Sequence, residues 1–201
     1  MITLFFAPLT RAIRIRWLLE ELGLDYRIVE TEFDRKAGPA GQNTPSGRFP
    51  VLQDGEVTLS ESGAIVQYLI ETYGAGRLQP EIGSIERPNY LFWIHYAEGS
   101  MAQSINQFVY LSLYRDDADR HAELIAANRL SAEKRLDEFE AAISGRQFLV
   151  GDDISGADIM MGFTLWSAMM LRLLDEAHPE TLRYLKTLTA RPAFANALSV
   201  R

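Results

Sequence analysis

One stretch of the chain, residues 47–69 (GRFPVLQDGEVTLSESGAIVQYL), constrains the fold more than any other. Two short apolar runs, at 51–52 and 57–59, flank the pair Asp54-Gly55, and this dipeptide between such runs is the strongest short-range signal for a β-hairpin. A helical pattern of apolar residues begins at Ser62, directly after the second run. The stretch therefore predicts a hairpin that leads straight into a helix.

The residues before this hairpin alternate between strand and helix patterns. An apolar run at 2–7 predicts a buried strand, and the amphipathic pattern after it predicts a helix that stops at Gly23. Residues 24–33 give a second strand, whereas 34–48 are rich in Gly, Pro, Ser, Thr and Asn and predict irregular chain. The resulting order of strands and helices indicates a thioredoxin-like α/β domain over residues 1–75.

The pattern changes at the end of this domain. Residues 76–87 contain several Gly and Pro residues and predict a linker, and the remainder, 88–201, has helical periodicity throughout. One long helix is expected to start near Pro88, a second to run over about 119–143, and two short helices to finish the chain. The sequence thus predicts an all-α helical C-terminal domain.

The segment GDDISGADIMMGF predicts the start of the core helix of that helical domain. Ser155 and, three residues later, Asp158 form a capping-box arrangement, with Asp in place of the usual Glu or Gln. The apolar stretch 159–174 is too short for a membrane span and is typical of a buried helix. Replacing Asp158 by Ala is expected to cost about 1–2 kcal/mol of stability.

Composition and charge exclude several classes of function. The 201 residues carry a net charge of -7, which argues against a nucleic-acid or membrane partner, and the basic group Arg11, Arg14 and Arg16 is too small to change this. Without cysteine there is no disulfide, zinc-thiolate site or cysteine nucleophile, and the three histidines lack metal-binding spacing. The chain enters a strand pattern without signal-peptide features, so a cytoplasmic protein is expected.

The pieces SGRFPVL, LSESGAIVQYL and GDDISGADIMM, in this order and spacing, resemble the cytosolic glutathione transferases. The resemblance covers essentially the whole chain, and the pieces RWLLEELGLDY and FWIHYAEGSM are similar to a bacterial and fungal branch. It implies the glutathione transferase architecture, in which the thioredoxin-like domain binds glutathione and the helical domain contributes the site for an electrophile. It also implies glutathione as co-substrate, no metal, and a two-fold homodimer.

The resemblance gives a role to Phe49-Pro50. In this family the corresponding bond is cis, which turns the N–H and C=O of the first residue outward to pair with the cysteinyl backbone of glutathione, like a short added strand. The residues alone leave an ordinary trans proline at a strand edge as the alternative. The family usually has Val or Ile where this chain has Phe49, so the wall of the pocket is expected to differ. An exposed Phe49 could also serve the dimer interface.

The pair Glu61-Ser62 lies where the last strand meets a helix. The resemblance implies that Ser62, with the free N–H groups of the helix start, holds the γ-glutamyl carboxylate and that Glu61 takes the ammonium. The alternative is a plain N-terminal cap. For the glycine carboxylate, Arg48 is the nearest candidate and Arg35 or Lys36 is possible, with a solvated surface charge as the alternative for each.

The chemistry of the family depends on a thiolate. A free thiol titrates near pH 8.5, and lowering its pKa by about two units takes about 2.7 kcal/mol of thiolate stabilisation. The family places Tyr, Ser or Cys just after the first strand, but this chain has Thr10 as its hydroxyl there, and Arg11 where some bacterial members carry Cys. We expect Thr10, aided by helix N–H groups and Arg11, to stabilise the thiolate. The alternatives are a helix N-cap for Thr10 and a surface charge for Arg11.

The leading hypothesis is an enzyme that joins glutathione to a small apolar electrophile, with a glutathione peroxidase as a close variant. A non-catalytic glutathione-binding or protein-interaction member of the same fold is the alternative, because the usual Tyr, Ser or Cys is missing. Most aromatic residues of the helical domain are expected to pack helices, and a few near 101–110 to line the electrophile pocket. The aromatic and methionine candidates are Tyr90, Trp93, Tyr96, Met101, Phe108, Tyr110, Trp166, Met169 and Met170.

Overall fold

The hairpin at Asp54-Gly55 forms one edge of a four-stranded sheet in the computed structural model, which describes residues 1–34 and 41–199. The strands in chain order are β1 (Ile2–Phe6), β2 (Tyr26–Glu30), β3 (Val51–Asp54) and β4 (Val57–Ser60). They lie in the order β2-β1-β3-β4, with β1 and β2 parallel and the other two pairings antiparallel. This mixed sheet confirms the predicted thioredoxin-like layout.

Two helices follow the strands in the predicted places. Helix α1 (Ala12–Leu22) ends at Gly23, whose φ of 69° is the left-handed conformation that glycine adopts readily, and α2 (Ser62–Tyr73) follows the hairpin. Helix α1 packs against both β1 and α2. Apolar side chains of the strands and helices, such as Leu52, are fully buried between them. Hydrophobic burial of this kind holds the sheet and helices together.

The region between β2 and β3 differs in detail from the sequence prediction. The strand predicted over 24–33 is shorter in the structure, where β2 covers Tyr26–Glu30. Residues 41–48 form bends and turns, in agreement with the predicted irregular chain. Arg35 and Lys36 lie outside the described residues.

Residues 82–188 form a second compact unit, which contains five α-helices among the residues that the structure describes. They are α3 (Arg87–Tyr96), α4 (Ala102–Leu113), α5 (Ala122–Ile143), α6 (Gly156–Met170) and α7 (Pro179–Thr189). A π-helical turn, Ala97–Met101, joins α3 to α4, and a 3-10 turn, Ala118–His121, precedes α5. Across the described ranges, the helices are all too short or too polar to cross a membrane.

The capping box predicted for the core helix is present at the start of α6. Asp158 is fully buried, and its carboxylate accepts hydrogen bonds from the N–H and Oγ of Ser155, each at 2.8 Å. It also accepts from the N–H of Leu149 at 2.9 Å and from the hydroxyl of Tyr184 at 2.8 Å. Burial raises the pKa of Asp158 above its ordinary value, although these donors act in the opposite direction.

The last helix, α8 (Pro192–Leu198), packs on α1. The first compact unit comprises 1–81 together with 189–201. The ring of Phe194 meets Trp17 of α1 edge-on, with centroids 4.9 Å apart. Arg191 donates two hydrogen bonds, of 2.6 and 2.7 Å, to the Glu21 carboxylate.

Candidate functional site

The candidate site lies in the first unit, where β4 leads into α2. Glu61 is the N-cap residue of α2 and has φ of 74°, a conformation that is uncommon outside glycine and costs free energy. Its carbonyl accepts the first helical hydrogen bond, from Ile65 N–H at 3.0 Å. This sharp turn leaves the Glu61 side chain exposed and places Ser62 in the interior, only 3% exposed. The buried hydroxyl of Ser62 therefore lies in the first turn of α2, next to the first N–H groups of this helix.

Arg48 and Glu61 are distant in sequence but lie close together in space. Its guanidinium lies 4.0 Å from the Glu61 carboxylate, and both side chains are largely exposed, at 60% and 75%. Ion pairs this open to water contribute little stability, so the pair is free to exchange its partners for those of a ligand. The structure thus brings Arg48, Glu61 and Ser62 together at one corner of the unit.

The segment before β3 completes this corner. The Phe49-Pro50 peptide bond is cis, as the resemblance implies. Phe49 is half-buried rather than exposed, and its ring lies 6.5 Å from that of Phe33. Directly after Pro50, Val51 pairs with Ser60 of β4, which precedes Glu61. Pairing between the two strands thereby holds the Phe49 backbone near the start of α2.

Thr10 makes backbone hydrogen bonds at the start of α1. Its hydroxyl donates to the carbonyl of Ala7 at 2.7 Å and accepts from the N–H of Ala12 at 3.3 Å. A threonine has a single O–H proton, so in this geometry the proton points at the backbone. Arg11, the next residue, is the half-buried N-cap residue of α1. In the structure the Thr10 hydroxyl thus bonds backbone groups at the start of α1, which is close to the helix-cap alternative.

Arg14 is the residue of this region that sequence reasoning missed. It lies in the first turn of α1 and is only 1% exposed, although a charged side chain favours the solvent-facing side of an amphipathic helix. Its Nη1 donates a hydrogen bond of 2.9 Å to Ser62 Oγ. The sequence did contain a signal, because Arg14 precedes the fully buried Leu18 by four residues and so shares its face.

The candidate site is electrically suited to an anion. The first turns of α1 and α2 both lack acidic residues, and each helix start carries a partial positive charge. The contact between Arg14 and Ser62 joins these two starts and adds a full positive charge behind them. A carboxylate can therefore bind here by charge-assisted hydrogen bonds.

In the second unit, the predicted pocket residues divide between core and surface. Tyr90 and Met101 are buried, so Met101, a candidate for the electrophile pocket, lies in the core instead. Phe108 is half-buried, whereas the side chains of Tyr110 and Met170 are exposed. Among the residues that the structure describes, no group of three or more His, Asp or Glu side chains is arranged to hold a metal ion.

In this chain a thioredoxin-like sheet with its two helices is followed by an all-helical unit. Family models for the "Glutathione S-transferase, N-terminal domain" and the "Glutathione S-transferase, C-terminal domain" match residues 4–80 and 103–192. Glutathione S-transferase 1 of Saccharomyces cerevisiae is 32% identical, over 92% of this chain and 89% of that protein. Glutathione S-transferase 3 of Schizosaccharomyces pombe is 29% identical, over 96% and 85%.

A solved structure agrees with these relatives. The glutathione transferase URE2P6 from Phanerochaete chrysosporium, in complex with oxidized glutathione, is 26% identical with a TM-score of 0.84, over 98% of this chain and 94% of that one. The chain belongs to the glutathione S-transferase family. The predicted fold and transferase function are confirmed, and glutathione is the co-substrate.

Proposed function

We propose that the corner formed by Arg48, Phe49, Pro50, Glu61 and Ser62 binds glutathione and presents its thiol to a small apolar electrophile. One observation carries the proposal: the Arg48 and Glu61 side chains converge beside the buried Ser62 at the start of α2. These three groups are complementary to the two carboxylates and the ammonium of the tripeptide.

Each part of the tripeptide has a partner in this assignment. The Ser62 hydroxyl and the first N–H groups of α2 hold the γ-glutamyl carboxylate, and Glu61 pairs with the neighbouring ammonium. The N–H and C=O of Phe49 pair with the cysteinyl backbone as an added strand, next to the buried Pro50. Arg48 takes the glycine carboxylate when the ligand separates it from Glu61.

The thiolate then lies near the start of α1. For Thr10 to donate to sulfur, its O–H must turn away from the Ala7 carbonyl, which it contacts at 2.7 Å in this structure. Donation by Thr10, with the positive end of α1 and the Arg11 guanidinium nearby, lowers the pKa of the thiol. The thiolate attacks the electrophile by addition or by displacement of a leaving group, and a thioether forms.

The helical domain of residues 88–201 contributes the electrophile site in this proposal. Accessible aromatic and methionine side chains of this part, such as Tyr110 on α4 and Met170 on α6, suit an apolar substrate. Residues 1–75 provide glutathione binding, and 76–87 link the two. We further propose a homodimer and a cytoplasmic location, where thiols are kept reduced.

The experiment that tests the glutathione site compares Ser62→Ala with Ser60→Ala. Both remove one hydroxyl, but Ser60 lies on β4 outside the proposed contacts. With 1-chloro-2,4-dinitrobenzene as electrophile, Ser62→Ala should raise the KM for glutathione about tenfold or more, because a charge-assisted hydrogen bond is lost. Ser60→Ala should leave it unchanged. If wild type neither binds glutathione nor turns over the halide, or if the two variants behave alike, the proposal fails.

A further inference from the structure

The buried contact between Arg14 and Ser62 has a fixed hydrogen-bond direction. A guanidinium has donors only, so Arg14 Nη1 donates and Ser62 Oγ accepts at 2.9 Å. With its oxygen accepting from Arg14, the Ser62 hydroxyl is available as a donor through its own proton. The positive charge behind the oxygen also polarises the O–H bond and strengthens it as a donor.

The position of Arg14 is unfavourable for the isolated helix. A cation in the first turn opposes the helix dipole, which favours acidic residues there. Arg14 nevertheless lies in the first turn of α1 and is 1% exposed, so its charge is also removed from water. An anion bound beside Ser62 would lie close to the guanidinium and to the two helix starts, and would be attracted by all three.

We infer that Arg14 is a positioning residue for glutathione: it orients the Ser62 hydroxyl toward the γ-glutamyl carboxylate and supplies the positive charge behind it. This inference rests on the proposed function, because it takes the ligand of Ser62 to be that carboxylate. Arg14 acts through Ser62 and does not itself touch the reacting thiol.

The test measures the Kd of three peptides by titration calorimetry. Glutathione has both charged groups of its γ-glutamyl end, glutaryl-cysteinylglycine keeps only the carboxylate, and 4-aminobutyryl-cysteinylglycine keeps only the ammonium. Arg14→Gln should weaken glutathione and the glutaryl peptide about tenfold, the factor expected for one charge-assisted hydrogen bond. The aminobutyryl peptide should bind Arg14→Gln and wild type equally, because it lacks the carboxylate.

Two further variants keep this test decisive. Arg14→Lys retains the charge but loses the planar donor geometry, so it should show a smaller loss, about threefold, with the same peptide selectivity. It replaces Arg14→Gln if the latter does not fold. In the Ser62→Ala background, Arg14→Gln should add less than about twofold, since the two residues act as one unit.

Arg16→Gln is the matched control, because Arg16 lies on the same helix and is 3% exposed but contacts Tyr26 and Ser199 instead. It should lower stability and leave all three Kd values unchanged. The inference is overturned if the Arg14 variants bind glutathione like wild type, weaken all three peptides equally, or combine with Ser62→Ala by simple multiplication. If Ser62→Ala weakens glutathione and the Arg14 variants do not, this inference alone fails. If wild type binds none of the peptides, the proposed function fails with it.

Discussion

At the residue scale, the chain departs from the family pattern at Thr10, the residue proposed to meet the thiol. Thr10 stands where Tyr, Ser or Cys is usual, and its hydroxyl bonds the backbone at both Ala7 and Ala12. A hydroxyl in that position can cap the helix, donate to a thiolate after a rotation, or do each in turn. The sequence identified Thr10 as the available hydroxyl, but it could not show which backbone groups that hydroxyl contacts.

Replacing Thr10 separates these roles. If its hydroxyl donates to sulfur, Thr10→Ala should raise the pKa of the bound thiol by about one unit and lower kcat about tenfold, whereas Thr10→Ser should retain both values. The thiol pKa is measured from thiolate absorbance with glutathione bound. Thr58→Ala, on the exposed edge of β4, is the control. A Thr10→Ala enzyme with unchanged kcat and thiol pKa would limit Thr10 to its backbone role.

Asp158 illustrates how a local motif can be predicted while its full role cannot. The sequence showed the capping box with Ser155, but the donors Leu149 and Tyr184 come from elsewhere in the fold. Asp158→Ala should therefore cost about 3 kcal/mol rather than the 1–2 kcal/mol expected for a cap alone, because buried donors lose their partner.

Urea unfolding of the whole chain measures this cost. Asp153→Ala, an exposed aspartate in the loop before α6, should change the free energy of unfolding by less than about 0.5 kcal/mol. A loss in Asp158→Ala no larger than that of the control would show that the four hydrogen bonds contribute no net stability.

At the element scale, the most informative difference from the sequence prediction is α8. A short helix at the end of the chain was predicted, but its partner was not, because local patterns do not reveal a contact between residues 17 and 194. Phe194 is 2% exposed, and its ring packs against Trp17. Arg191 is more exposed than Phe194 and forms an ion pair with Glu21. The apolar contact should therefore contribute more than the ion pair.

This ranking is testable by single substitutions. Phe194→Ala should lower the free energy of unfolding by about 3–4 kcal/mol, since it leaves a cavity beside Trp17. Arg191→Ala should lower it by about 1–2 kcal/mol, because the Glu21 side chain is only 9% exposed but keeps its hydrogen bond from Trp17 Nε1. Leu198→Ala, a partly exposed position on α8, is the apolar control. Equal effects of the first two variants in urea unfolding would contradict the ranking.

At the scale of the whole molecule, the sequence predicted most of the architecture because its signals are local. The Asp54-Gly55 hairpin, the helix stop at Gly23 and the capping box each appear where the residues indicated. The contact of Arg14 with Ser62 and the packing of α8 on α1 depend on residues distant in sequence, so no short pattern could reveal these contacts. The same limit applies to the candidate site. The sequence motifs identified Ser62 but not Arg14, which donates a hydrogen bond to it.

In the proposed complex, glutathione binds at the start of α2 in the first unit. A crystal structure of the wild-type protein with glutathione is the decisive measurement of this binding mode. In that structure we expect the γ-glutamyl carboxylate at hydrogen-bond distance, about 2.7 Å, from Ser62 Oγ, and the cysteinyl backbone paired with Phe49. Glutathione bound elsewhere, with neither Ser62 nor Phe49 in contact with it, would contradict the claim.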